Sequence, residues 1–224
     1  MTSVAVRPLA LRRRWALGAA GLLLASAVLQ LLASIERWVV AADGWAREDS
    51  TIEDHRFDYS FPADPWENVG SAAQLHGIGT ILLALGVLAA HRAFTPRGRV
   101  AGLLALLVAV SFCLLGLHAL VSGILGAPTP LQNVGLQLVL STIPAVALVA
   151  LALLWATESP FAAVAAVFLL GATLPGYLLA AFAIAPMIMN YQSYDTTPWT
   201  EAVVAASIAV AGLLVLVARP APRR

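Results

Sequence analysis

Six uninterrupted apolar stretches, at residues 15–35, 73–91, 100–122, 134–155, 161–185 and 199–218, dominate this chain of 224 residues. Each is close to the length a helix needs to cross a hydrocarbon core of ~30 Å, roughly 20 residues. Backbone amides find no water at that depth, so a crossing segment is a helix or a strand of a closed barrel. Barrel strands read as alternating segments of about 10 residues, and these stretches do not alternate. The sequence therefore predicts an all-α, polytopic integral membrane helical bundle of six transmembrane helices. It reads as one membrane domain, residues 1–224, with one sizeable loop at residues 36–72. Charged residues make up only 11% of the chain and the mean hydropathy is +0.86, where a soluble domain carries about 25% charged residues.

Charge placement orients the bundle. With six spans, ten of the 13 basic residues fall on one side: Arg7, Arg12, Arg13, Arg14, Arg92, Arg97, Arg99, Arg219, Arg223 and Arg224. Arg37, Arg47 and Arg56 fall on the other, with eleven of the twelve acids; Glu158 is the exception. Positive loops stay in the cytoplasm, so both termini are expected there and the loop 36–72 is expected to be extracytoplasmic. A count of five or seven spans would scatter the arginines over both faces. The first apolar run exceeds the 7–15 residues of a usual signal-peptide core, and Glu36-Arg37 separate it from the small residues that follow. An uncleaved span is expected. The basic residues are all arginine, which with the abundant alanine suggests a bacterial plasma membrane.

Several function classes have no support. The arginines flank spans and form no solvated basic face for nucleic acid. No Gly-rich phosphate loop occurs, so nucleotide is not an expected partner. The single cysteine, Cys113, rules out an intrachain disulfide and a cysteine metal cluster. The expected partners are the lipid bilayer and, for an accessory subunit, other membrane chains.

The polar residues within the spans are placed on one side. Gln30, His76, His118, Gln137, Tyr177 and Glu201 all fall between the midplane and the acidic end, as do Ser26, Ser34, Gln74, Thr80, Ser111, Ser122, Ser141, Thr142, Thr173 and Ser207. The opposite halves are nearly bare: residues 16–25, 81–90, 100–110, 143–154, 161–172 and 208–218 carry no polar side chain. Polar groups in lipid must face the bundle or water. A polar vestibule entering from the acidic side, above a dry floor of small residues, is the expectation. Ser26, Gln30 and Ser34 recur every four residues, as do Gln137 and Ser141, so each set shares a helix face. Ala72, Gly79, Gly86 and Ala93 form a small-residue row that favours close helix packing.

His76 and His118 stand about equally far from the turn between spans two and three, so they fall at similar depth. Together they could ligate a metal or haem, or relay protons. Alternatively each is hydrogen-bonded separately to backbone. His91 finds no second histidine near its end and reads as an anchor beside Arg92.

Ser60-Phe61-Pro62-Ala63-Asp64-Pro65-Trp66 and Ser193-Tyr194-Asp195-Thr196-Thr197-Pro198-Trp199 resemble one another. Both suggest helix starts, with Asp64 or Thr197 as cap, proline in the first position and Glu67 or Glu201 in the first turn. The acidic loop, with Asp43, Glu48, Asp49, Glu53, Asp54, His55 and Asp58, could take a divalent cation, although it lacks EF-hand spacing. Its aromatic residues, Trp45, Phe57, Tyr59, Phe61 and Trp66, suggest that it folds back as a lid on the outer mouth or docks on a partner. Pro144 and Pro175 should kink the fourth and fifth helices.

Three functions fit. The first is an outward-facing pocket that binds or moves a small solute or lipid, using His76, His118, Gln30, Gln137, Tyr177, Glu67 and Glu201. The second is an accessory subunit of a larger membrane complex. The third is an outer-leaflet enzyme or redox protein with haem or metal on His76 and His118.

Overall fold

A computed structural model describes residues 6–42, 51–94, 98–193 and 195–219. Asp43, Trp45, Arg47, Glu48, Asp49, Arg97, Tyr194, Arg223 and Arg224 lie outside them. The described residues form helices and connecting loops, with no strand. α1 (Val6–Ile35) continues into a π-helical turn at Glu36–Val40. After the loop come α2 (Ala72–Phe94), α3 (Arg99–Leu125) and α4 (Val134–Ala156). The fifth apolar stretch divides into α5 (Pro160–Leu169), a 3-10 turn at Leu170–Ala172, α6 (Leu174–Leu179), a π-turn at Ala180–Ile184 and α7 (Ala185–Met189). α8 (Thr200–Val217) is the last described helix.

Among the described residues, five helices are long and apolar enough to cross a membrane: residues 9–40, α2, α3, α4 and α8. The fifth stretch supplies a sixth crossing if its two halves, bent by 73° between Ala172 and Leu174, are taken as one. The bend falls where Pro175 removes a donor, and two glycines make it fit. A Cβ on Gly176 would collide with the Leu170 carbonyl oxygen, and one on Gly171 with Ser207 Oγ. α4, in contrast, runs unbroken through Pro144.

The spans close into a ring. α1 packs on α2, α2 on α3, α3 on α4, α4 on α5, α5 on α8, and α8 returns to α1. The small-residue row of α2 faces α1: a Cβ on Gly79 would reach Gln30 Cγ at 2.9 Å, and one on Gly86 would reach Leu23 Cδ2 at 2.9 Å. A second close approach, Gly77 against Gly116 and Leu120, seats α2 on α3. Large aliphatic side chains such as Val146, Leu153 and Met187 are more than two-thirds exposed on the outside of the ring. That is the pattern of a surface solvated by lipid.

Each end has its own ion pairing. At one end the Arg12 guanidinium donates to the Ala93 carbonyl at 2.8 Å and to Glu158 at 2.6 Å. The one acid expected among the arginines is thus held by one of them. The other end gathers the acidic loop, the turn before α4 and the start of α8.

Two expected helix starts are corrected. α2 begins at Ala72, so Asp64, Pro65 and Glu67 precede it in the loop. Asp64 is held by Gln132, which accepts from its backbone N–H at 2.8 Å and donates to its carboxylate at 3.0 Å. Before α8, Trp199 occupies the cap position with φ 69°, and neither Thr197 nor any other side chain caps the helix. Only Glu201 keeps its expected place in a first turn. The capping rules failed here because both prolines lie in turns that precede the helix rather than open it.

The loop folds onto the bundle. Phe57, Tyr59 and Val69 are buried against Ala33, Ala41, Ala72 and Ala73. Trp66 donates from Nε1 to the Asp58 carbonyl at 3.1 Å. The Thr196 backbone N–H donates to the Glu53 carbonyl at 3.2 Å, which joins the loop to the segment before α8.

Candidate functional site

Beneath this loop, on the ring axis, lies a cavity of about 290 Å³. All six apolar segments reach it: Gln30 from α1, His76, Thr80 and Leu83 from α2, Phe112 and Leu115 from α3, Gln137 and Ser141 from α4, residues 171–174 and Tyr177 from the broken span, and Glu201 and Val204 from α8. His55, Asp58, Ser60, Phe61 and Ala63 of the loop form its roof. Leu83 is the deepest lining residue of α2. It stands 11 positions after the helix start, about 16 Å along the axis, roughly half the thickness of a hydrocarbon core. Below it the ring is filled by apolar side chains, among them Leu23, Val87, Val108, Leu151, Trp155 and Val215.

Five of the seven residues expected at a pocket line this cavity: Gln30, His76, Gln137, Tyr177 and Glu201. The other two, His118 and Glu67, do not line it. His118 is almost fully buried, with Nδ1 at 2.7 Å from Thr129 Oγ1 and Nε2 at 2.8 Å from the Pro62 carbonyl. Both ring nitrogens are engaged, and its role as it stands is to fix the loop and the α3–α4 connection. His76 contacts Thr80 Oγ1 through Nε2 at 3.3 Å and meets the ring of Tyr59 edge-on. The two histidines therefore sit in separate hydrogen-bond environments. Both nitrogens of His118 are engaged by Thr129 and the Pro62 carbonyl. Glu67 stays in the loop near Arg56.

The electrostatic centre of the site is a residue that sequence reading left among the loop charges. Arg37, in the π-turn that ends the first span, is fully buried. Its Nε and Nη2 donate to the Ile52 carbonyl, Nη2 also to the Asp54 carbonyl, and Nη1 to Asp58 and Glu201. A guanidinium has five N–H donors, and these five contacts use them all. Glu201 takes Arg37 on Oε1 at 3.0 Å and the Trp38 indole N–H on Oε2 at 2.8 Å. Asp58 accepts from Arg37 and from Thr196 on the same oxygen, Oδ1. Its Oδ2 accepts nothing from the described residues.

One cation thus serves two carboxylates. Burial, the larger effect, raises the Asp58 carboxyl to about 6 against the opposing pull of Arg37, and Glu201 pushes it the same way. Burial also holds the Tyr59 phenol well above its ordinary value. The signal that could have found Arg37 is its position. A charged residue followed by Trp38, Val39 and Val40, separated only by Glu36 from the end of a 30-residue helix, must find partners or reach water.

On the rim, Nδ1 of His55 lies 3.3 Å from both Asp54 Oδ1 and Asp195 Oδ2. Both oxygens also accept backbone N–H groups, from Arg56 and from His55 respectively. The triad closes the loop against the segment leading to α8.

Comparison with protein-family models, with curated proteins and with solved structures returned no match for this chain.

Proposed function

We propose that the chain is a multi-pass membrane protein whose axial cavity binds, or carries part-way, a small solute or a lipid headgroup entering from the acidic face. The observation that carries this reading is the convergence of polar groups from all six apolar segments on one cavity. Polar side chains at that depth are costly unless they face a ligand or water. The excess of arginine at the other end supports a cytoplasmic position for that end and an outward-facing cavity mouth. The volume lies at the low end of the ~300–1,000 Å³ typical of small-molecule sites. The apolar floor argues against a constitutive channel. Transport to the other side would require the ring to rearrange, and the broken fifth span supplies a joint in its wall.

The test is occupancy. Protein extracted in mild detergent should yield a co-purifying small molecule or lipid by mass spectrometry. Ser141→Trp, which fills the cavity, should release it. Equal content in the two proteins would contradict the proposal.

A further inference from the structure

We infer that the cavity selects a positively charged ammonium group, carried by a small organic amine or quaternary ammonium solute or by a lipid headgroup. This rests on the cavity reading above and names its ligand class.

Among the described residues that line the cavity, the carboxylates are Asp58 and Glu201, and no arginine is one of them. Arg37 stands behind both carboxylates with all five donors spent, so it has none to offer an anion. It cancels one of the two negative charges, and the other remains. Glu201 has both oxygens occupied, whereas Oδ2 of Asp58 is free of described partners and belongs to a residue of the cavity wall. That oxygen is the natural seat for a cation. Thr196 donates to Asp58, and Tyr177 lines the same cavity; neither brings a charge to cancel it. On the rim, His55 lies between Asp54 and Asp195, with Arg56 Nε 3.5 Å from Asp54.

The remaining walls suit an ammonium rather than a bare metal ion. Phe61, Phe112 and Tyr177 present aromatic surface, and aromatic faces with a carboxylate are how alkylammonium groups are held when removed from water. The approach is also biased. Among the described residues, this end of the molecule carries Glu36, Glu53, Asp54, Asp58, Asp64, Glu67, Asp195 and Glu201 against Arg37 and Arg56. A field of that sign concentrates cations at the mouth.

The experiment uses the whole chain in detergent at pH 7.5, with thermal unfolding as the readout. Choline, ethanolammonium and tetramethylammonium are compared with 3,3-dimethylbutan-1-ol, the uncharged isostere of choline. At least one cation should stabilise the protein with an apparent affinity roughly tenfold or more above that of the isostere. Asp58→Asn, which keeps the acceptor Oδ1, should abolish the difference. Short-chain phosphatidylcholine against phosphatidylglycerol separates the sources. Stabilisation by the former at lower concentration than choline assigns the headgroup, and the reverse assigns the free solute. If the isostere binds as well as choline and Ser141→Trp blocks it, the charge assignment is overturned while the cavity reading stands. If none of the cations stabilises the protein, or if Asp58→Asn binds them unchanged, the assignment is likewise overturned.

Discussion

Replacing Arg37 with Met tests the energetic role of the buried cluster. The substitution removes five hydrogen bonds and leaves Asp58 and Glu201 facing one another without a cation. Hydrogen bonds to charged groups contribute about 1.5–3 kcal/mol each; the two to carboxylates alone account for about 3–6 kcal/mol. Breaking a buried ion pair from one side costs about 3–5 kcal/mol. Asp58 is 26% exposed in its side chain and can relieve part of the repulsion by taking a proton, so the lower part of that range, about 3 kcal/mol, is expected. Asp58→Asn should behave differently. It removes the surplus negative charge, keeps the acceptor for Arg37 and Thr196, and leaves Arg37 paired with Glu201. Its effect at pH 7.5 should stay below about 1 kcal/mol. Equilibrium unfolding in mixed micelles, followed by tryptophan fluorescence, measures both. If Asp58→Asn costs as much as Arg37→Met, or if Arg37→Met costs under about 1 kcal/mol, the one-cation, two-carboxylate account is wrong.

The raised Asp58 carboxyl gives a pH dependence of known sign. Its native value is about 6 against 3.8 unfolded, so the native state holds a proton that the unfolded chain has lost. The stability it confers is complete below pH ~4 and falls away as pH rises through ~6; Asp58→Asn should flatten that part of the stability–pH profile. Gly176→Val should push α6 off the Leu170 carbonyl and close or distort the cavity, so occupancy falls while α-helical content by circular dichroism holds. Gly77→Leu should separate α2 from α3 and destabilise the protein by about 1–3 kcal/mol in the same unfolding assay, the usual cost of overpacking. His118→Phe should loosen the loop, seen as faster proteolysis between residues 51 and 71, with the cavity walls contributed by α4 and α8 unaffected.

Much of this architecture is legible in the residues because lipid imposes strong rules. The apolar runs mark the helices long and apolar enough to cross a membrane to within a few residues at α2, α3, α4 and α8. The row Ala72, Gly79, Gly86 and Ala93 marks the face of α2 that meets α1. The four-residue spacing of Gln137 and Ser141 put both on the cavity wall. What was not legible depends on contacts between segments distant in sequence. Arg37 and Glu201 are 164 positions apart, and nothing local to either shows that they meet. Equal depth placed His118 beside His76, but depth does not fix rotation about a helix axis, and His118 turned to the Pro62 carbonyl instead. The Pro-Trp segments looked like helix starts because proline suits a first turn as well as it suits the turn before one.

The central claim is that the polar interior opens to the acidic face alone. It is tested most directly by single cysteines placed at Ser141, Thr80 and Ala105 in a Cys113→Ala background and probed with a membrane-impermeant thiol reagent from each side. The account predicts labelling at 141 and 80 from the acidic face, slowed by bound ligand, and none at 105 from either face. Labelling of 141 or 80 from the arginine-rich face would contradict it.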